Sequence, residues 1–289
     1  MFLPPAVGGG MGIRMRIEYE DRQLLVVFKE AGLPVQTGRT SRRDLVSLLK
    51  NHLAQESAAV TDARQTAAES KTAGKILYQT SGQIPGAGIT AAAEPYLGIV
   101  HRLDQPVEGL LVFAKTQKSA AALSAQAASK DPEGMEKIYQ ALVCPDAASY
   151  PMVLEGRKKD VTLVDWLGRD RSSNMAYVTS DTEKEAKRAE LKFRTLWIRE
   201  GRALLEIRLL TGRHHQIRIQ MAHAGMPLLG DRKYGNAQGR EGEPLCLCAS
   251  RLSFIHPATK KKLSFRVEPT WLPLIIKDAT MNAGTDDRS

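Results

Sequence analysis

Strand-like patterns dominate the chain. Residues 16–28 predict two short strands around a turn at Glu20-Asp21-Arg22, and Leu24–Phe28 is a continuous apolar run of strand length. Ala31-Gly32-Leu33-Pro34 then breaks the pattern. Between Lys137 and Cys144, Ile138, Gln140 and Leu142 alternate with Tyr139, Ala141 and Val143, the period of two that defines a strand. Further strands are predicted at 109–115, 175–179, 189–198, 203–210, 246–254 and 263–267. Helical spacing is rarer. It covers Ser41–His52, where Ser41 can cap and Leu45, Leu48, Leu49 and Leu53 recur, and the Ala-rich stretch 119–128. A third helix should follow Thr211 as its cap, with Ile217, Met221 and Ala224 on one face and Gly225 at its end. These elements predict an α+β domain: a mixed, largely antiparallel central sheet with flanking helices.

Two stretches lack such periodicity. Residues 1–15 are rich in Gly and Pro and read as a disordered tail, and 276–289 as a frayed one. Residues 54–94 carry Ala, Ser, Thr, Gly and Gln with few large apolar side chains. Such a segment buries too little surface to offset its ordering entropy. It reads as a low-complexity insertion, with at most a helix near 58–70, inside a single domain spanning 16–275.

Composition narrows the class. The 289 residues are 43% hydrophobic and 25% charged, which excludes wholesale disorder. A net charge of +9 and a pI near 9.5 favour an anionic partner such as nucleic acid. Part of that charge is concentrated. Lys192–Gly235 holds nine basic residues against three acidic ones, a pattern that suits a cleft for a phosphate backbone. Lys260-Lys261-Lys262 reads as a solvated hairpin tip. Three cysteines make no disulfide framework, and Cys246-x-Cys248 with a distant His256 reads as strand core, not as a metal site. There is no basic region ahead of an apolar N-terminal run and no membrane-length apolar segment, so a cytoplasmic protein is expected.

Chemistry is concentrated where polar residues crowd the ends of apolar elements. One stretch is His101-Arg102-Leu103-Asp104-Gln105-Pro106-Val107-Glu108-Gly109, just before a strand. The other is Thr211-Gly212-Arg213-His214-His215-Gln216-Ile217-Arg218, at a strand-to-helix junction. By its type alone Asp104 could be a turn carboxylate, a partner of Glu108 in a glycosidase-like couple, or a nucleophile held ionised by an arginine. The couple is discounted, because two glycosidase carboxyls must flank a bound sugar roughly 5–9 Å apart.

The third role is the one these residues resemble. His101-Arg102-Leu103-Asp104 followed by Gly109-Leu110-Leu111 resembles the signature of the RluA-type family of RNA pseudouridine synthases. Residues 17–35, the Lys137-x-Tyr139 strand, the 211–218 block, Gly225-Met226-Pro227 and Gly230–Gly235 follow in that family's order. The resemblance implies isomerisation of uridine to pseudouridine in RNA, ribosomal or transfer, with neither metal nor organic cofactor required; a monomer is the default expectation. It implies Asp104 as the nucleophile, Tyr139 as the active-site tyrosine and Arg218 as the arginine pairing with Asp104. Arg102 would help fill the space left by the extruded base. His101 and Lys137 belong to the RNA-facing set. Arg213, His215 and Gln216 could either position RNA or brace their loop. His214 stands at a variable place and receives no role.

Two departures are visible. Many members have Thr-Ser where this chain has Val107-Glu108, and His where it has Gln220. An RNA-binding module of the S4 type is not expected before residue 16, and target choice is expected to come from the catalytic domain and its loops. The alternative class is an RNA-binding or remodelling factor on the same scaffold with little turnover, and a weaker one is a glycosidase of free nucleosides.

Overall fold

The computed structural model describes residues 15–37, 43–65, 94–129, 134–235, 243–273 and 275. The chain opens with a hairpin, β1 (Met15–Glu20) and β2 (Leu24–Lys29). Asp21 makes its turn, with Oδ1 accepting from the backbone amides of Gln23 at 2.7 Å and Leu24 at 2.9 Å. Helix α1 (Leu45–Gln65) follows, then β3 (Gly98–Ile99), β4 (Glu108–Ala114), α2 (Gln117–Ala128) and β5 (Glu136–Val143). The rest runs α3 (Tyr150–Glu155), β6 (Val161–Asp170), β7 (Met175–Thr179), β8 (Lys187–Arg199), β9 (Arg202–Leu209), α4 (Gln216–His223), β10 (Leu247–Ile255) and β11 (Lys262–Arg266).

All eleven strands share one sheet, in the order β1-β2-β4-β10-β5-β9-β8-β6-β7, with β3 beside β4 and β11 beside β10. The pair β4–β10 is parallel and the other pairs are antiparallel. This is the mixed, largely antiparallel sheet that the strand patterns predict.

β2 and β4 are almost wholly apolar and buried along their length, because both faces of the sheet are covered there. Leu25, Val27, Leu111, Phe113, Tyr139 and Ala141 face one core, which α1 fills with Leu45, Leu49 and Leu53 and α4 with Ile217 and Met221. Leu24, Val26, Phe28, Leu110, Val112 and Leu142 face the other, closed by Leu123 of α2, Phe254 and Trp271. Alternate residues thus enter opposite cores, and period two becomes a continuous apolar run. Cys246 and Cys248 are buried in the second core, and all three cysteines are free.

Several local details differ from expectation. Ser41 lies outside the described residues. Asp44 caps α1, its Oδ1 accepting from the Ser47 amide at 2.8 Å. The helix also runs past His52 to Gln65, into the stretch read as an insertion. Ala, Gln, Glu and Arg there are strong helix formers, and helical propensity carries the element beyond its apolar face. Residues 66–93 lie outside the described residues. Thr211 does not cap α4: the cap position is His215, in the left-handed region at φ 52°. Thr211 instead accepts from the Glu190 amide of β8 at 2.8 Å. The sequence patterns predict neither β6 nor α3. β6 alternates Val161, Leu163 and Asp165 with Thr162 and Val164, and Arg194 on β8 reaches Asp160 at its start.

The cations of the basic block are distributed over several elements. Strands β8 and β9 send alternate side chains to opposite faces, and three of the nine cations are paired within the protein. Arg194 pairs with Asp160, Arg208 with Glu136 and Arg218 with Asp231. Lys260–Lys262 stands exposed at the β10–β11 connection, with Lys260 at φ 60°.

Candidate active site

Asp104 sits in the turn that leads into β4. The turn closes on itself, with the Val107 amide donating to the Asp104 carbonyl at 3.0 Å. It is also tied to the segment after β2. The Gly32 amide donates to the Gln105 carbonyl at 2.8 Å, and the Gln105 side chain returns a bond to the Gly32 carbonyl at 3.0 Å. Lys29, fully buried, completes the anchor. Its Nζ donates to the carbonyls of Leu33 at 2.9 Å, Glu30 at 3.0 Å and Gln105 at 3.1 Å. Burial pushes Lys29 down to about 7, against the pull of the Asp104 and Glu108 charges.

Behind the turn, Gly109 adopts φ 126°, and a Cβ there would lie 2.5 Å from the Ala249 backbone nitrogen and oxygen. Only glycine lets β4 approach β10 this closely. Glu108 is buried and does not face Asp104 as a second acid. Its carboxylate accepts from the Thr270 amide at 2.8 Å and from the Thr270 hydroxyl. It serves to dock the C-terminal segment onto β4.

The second half of the site comes from α4 and the turn after it. Arg218 is buried, and its guanidinium is divided between two carboxylates. Nε and Nη2 donate to Asp231 Oδ2 and Oδ1 at 2.8 and 2.7 Å, a bidentate pair. Nη1 points to Asp104 Oδ2 at 3.6 Å. Asp231 Oδ1 also accepts from the amides of Lys233 at 2.9 Å and Tyr234 at 3.2 Å. The Tyr234 ring lies under the guanidinium, 5.2 Å from its centre.

His215 also reaches Asp104, Nε2 to Oδ2 at 3.6 Å. Its Nδ1 bonds to the Tyr234 hydroxyl at 2.7 Å, which fixes the ring. Burial, with Arg218 nearby, holds His215 down to about 3, so the imidazole is neutral at physiological pH. Asp104 retains 26% side-chain exposure, enough to be reached from outside. Burial raises its pKa, and Arg218 opposes the rise without cancelling it. Tyr139 enters from β5. Burial, with the Asp104 charge close by, lifts its hydroxyl far above the usual range, so it stays protonated.

The remaining candidates divide. Lys137 shares the Tyr139 face of β5 and is half-buried, and burial lowers its pKa. Arg102 is exposed beside Asp104. His101 turns inward: Nε2 accepts from the Val112 amide at 3.3 Å and Nδ1 is buried without a hydrogen bond among the described residues. Burial, with Lys137 nearby, takes it down to about 3. Arg213 is exposed, with Nε donating to the Arg188 carbonyl at 3.0 Å. Gln216 is buried and braces the loop. Its Oε1 accepts from the Thr211 hydroxyl at 2.8 Å and the Arg213 amide at 2.9 Å, and its Nε2 reaches the Glu190 carbonyl and Gln220. Asp231, Tyr234, Lys29 and Gln105 received no role from sequence. All four lie in or beside the quoted blocks, and only proximity reveals what they hold.

A family model described as RNA pseudouridylate synthase matches residues 23–223. The chain is 30% identical over 282 residues to ribosomal large subunit pseudouridine synthase D of Zymomonas mobilis, covering 94% of this chain and 75% of that one. It is 31% identical over 196 residues to tRNA pseudouridine synthase C of Vibrio cholerae, covering 61% and 75%. An uncharacterized RNA pseudouridine synthase of Chloroflexus aurantiacus is 29% identical over 220 residues, and the chain spans 64% of its length and 72% of its own. Among solved structures, human RNA Pseudouridylate Synthase Domain Containing 1 superposes with a TM-score of 0.60 at 16% identity, over 98% of this chain and 100% of that one. At that identity the likeness is one of fold. Sequence and fold agree, and the chain belongs to the RluA-type family of RNA pseudouridine synthases.

Proposed function

We propose that this protein isomerises a uridine in structured ribosomal or transfer RNA, with Asp104 as the covalent nucleophile, Arg218 as its ion-pair partner and Tyr139 against the base. The observation that carries this reading is the divided guanidinium of Arg218. Two of its nitrogens are locked by Asp231, and the third is left facing Asp104. A carboxylate in a desolvated site needs such a cation to stay ionised, and an ionised carboxylate is a competent nucleophile at neutral pH. A binding factor without turnover has no use for this arrangement.

The reaction breaks the bond from N1 of uracil to the ribose, turns the base, and forms a bond from C5 to the same ribose carbon. The C5 hydrogen leaves as a proton and N1 gains one, so the product is an isomer of the substrate. Asp104 adds to the nucleoside, at the sugar or at the base, and is expelled when C5 rejoins. Tyr139 stacks its ring on the uracil and offers a protonated hydroxyl for proton transfer. Neutral His215 holds the Tyr234 hydroxyl and leaves the positive charge beside Asp104 to Arg218. Exposed Arg102 takes up the space of the extruded base and recovers part of the unstacking cost. Lys137 and Arg213 face the RNA backbone. In this reading 16–275 is one catalytic domain, working as a cytoplasmic monomer without a cofactor. Among the described residues no helix is long and apolar enough to cross a membrane.

The test is pseudouridine mapping after chemical derivatisation of RNA from cells with and without this protein. A uridine modified only when the protein is present is the expected result. Identical maps for ribosomal and transfer RNA overturn the proposal. Mass comparison cannot serve, because substrate and product weigh the same.

A further inference from the structure

One residue at the centre of the site has no part in the proposed reaction. His214 lies next to His215, their rings stacked with centroids 3.8 Å apart and planes inclined by 24°. It is half-buried, and its Nε2 makes one long contact of 3.4 Å to the Asn174 carbonyl. Ligand atoms of Asp104, His214 and His215 all lie within 4.8 Å of one another.

We infer that Asp104, His214 and His215 form an inhibitory site for a divalent transition-metal ion, zinc being the ion that this donor set suits best. Two imidazole nitrogens and one carboxylate oxygen are common zinc ligands, with water in the fourth position. At zinc–ligand bonds of about 2.0–2.2 Å, tetrahedral ligand atoms lie roughly 3.3–3.6 Å apart. The His215–Asp104 separation of 3.6 Å already matches. The His214 ligand atom lies within 4.8 Å of the other two, so a shift of roughly 1 Å brings the set to tetrahedral spacing. The bond from His215 Nδ1 to the Tyr234 hydroxyl is the outer-shell contact that orients a ligating imidazole, and it leaves Nε2 free for the metal. Arg218 repels a cation here, and the bidentate Asp231 pair offsets part of that repulsion. A zinc ion bound here would engage the Asp104 oxygen lone pairs, leaving the carboxylate unable to attack the nucleoside. Zinc is then an inhibitor of this enzyme and not its cofactor.

Metal binding stands apart from the proposed reaction, and only its inhibitory consequence rests on the role given to Asp104. Both are measured on the full chain. Calorimetric titration with Zn2+, and visible absorption with Co2+ as a probe, read binding without turnover. Release of tritium from RNA labelled at uridine C5, with Zn2+ added first and a chelator afterwards, reads inhibition. The expected result is one ion per chain, loss of activity in step with occupancy, and recovery on chelation. His214→Ala should retain uninhibited activity while its sensitivity to zinc falls at least about tenfold, the size that losing an outer-shell partner alone produces. No heat and no Co2+ absorption band would overturn the site. Zinc binding with full activity would overturn the inhibition, as would a His214→Ala variant that is equally sensitive. If no condition gives tritium release, the proposed reaction fails while the binding data still decide the site.

Discussion

Asp231 never touches the substrate in the proposed reaction, yet the geometry makes it decisive. Its two oxygens differ. Oδ1 accepts from Arg218 Nη2 and from the amides of Lys233 and Tyr234, whereas Oδ2 accepts from Arg218 Nε. Asp231→Asn keeps the Oδ1 bonds if the amide oxygen takes that place. It then turns an N–H toward the Nε–H of Arg218, donor against donor, and removes the negative charge. The Arg218 and Asp231 side chains are 4% and 0% exposed, so solvent cannot repair the loss. Breaking a buried pair on one side costs about 3–5 kcal/mol. Native domains hold only about 5–15 kcal/mol in total, so the variant should fold but melt early. Held by one bond where two had fixed it, and without the opposing charge, the guanidinium would turn toward Asp104 and tie up the attacking oxygen. Urea denaturation should show the stability loss, and tritium release at saturating RNA should show a fall in kcat of at least about tenfold, or 1.4 kcal/mol of transition-state stabilisation. A variant within about 1 kcal/mol of wild type and fully active would refute the claim that Asp231 aims Arg218.

Tyr139→Phe keeps the ring and loses the hydroxyl; kcat should fall by about a hundredfold with KM nearly unchanged, and an unchanged kcat would restrict Tyr139 to stacking. Gly109→Ala puts a Cβ 2.5 Å from backbone atoms of Ala249 at φ 126°. It should cost at least about 2–4 kcal/mol in urea denaturation, and a wild-type midpoint would show that β4 can move away from β10. Lys29 has its folded pKa lowered to about 7, below its unfolded value near 10.4. The unfolded chain then holds more protons between these values, so wild-type stability relative to Lys29→Met should rise with pH there, by at most about 1.4 kcal/mol per unit. A flat difference would mean that the three carbonyl acceptors keep Lys29 charged throughout.

The strands were legible because their side chains alternate between two environments or sit between two cores, and either pattern survives in sequence. β5 shows this: the order from Ile138 to Val143 sets both faces. Weakly patterned β6 was not legible, since its exposed Val164 breaks the polar face that alternation would require. The end of α1 was half legible: composition pointed to a helix near 58–70, but with no apolar stripe nothing joined it to the helix over 41–52. Asp104, Tyr139 and Arg218 stood out through resemblance to a family. Composition and periodicity alone left Asp104 between a turn residue and a nucleophile. That Arg218 is shared between Asp104 and Asp231 is a fact of tertiary packing between α4 and the turn at 231–235, with no local signature. The two meanings open for Gln216 separate on burial alone. The charge of the 192–235 block was countable in sequence, but its pairing with Asp160, Glu136 and Asp231 was not.

The central claim is that the Asp104 carboxylate performs the isomerisation. Forming the bond at C5 expels the hydrogen there, so RNA labelled with tritium at uridine C5 reports the reaction directly. Asp104→Asn preserves size and the turn around it while removing the charge that attacks. Wild-type protein should release tritium and form pseudouridine, and purified Asp104→Asn, folded by circular dichroism and still binding RNA, should release none above background. Tritium release by Asp104→Asn at a rate near that of wild type would contradict the account.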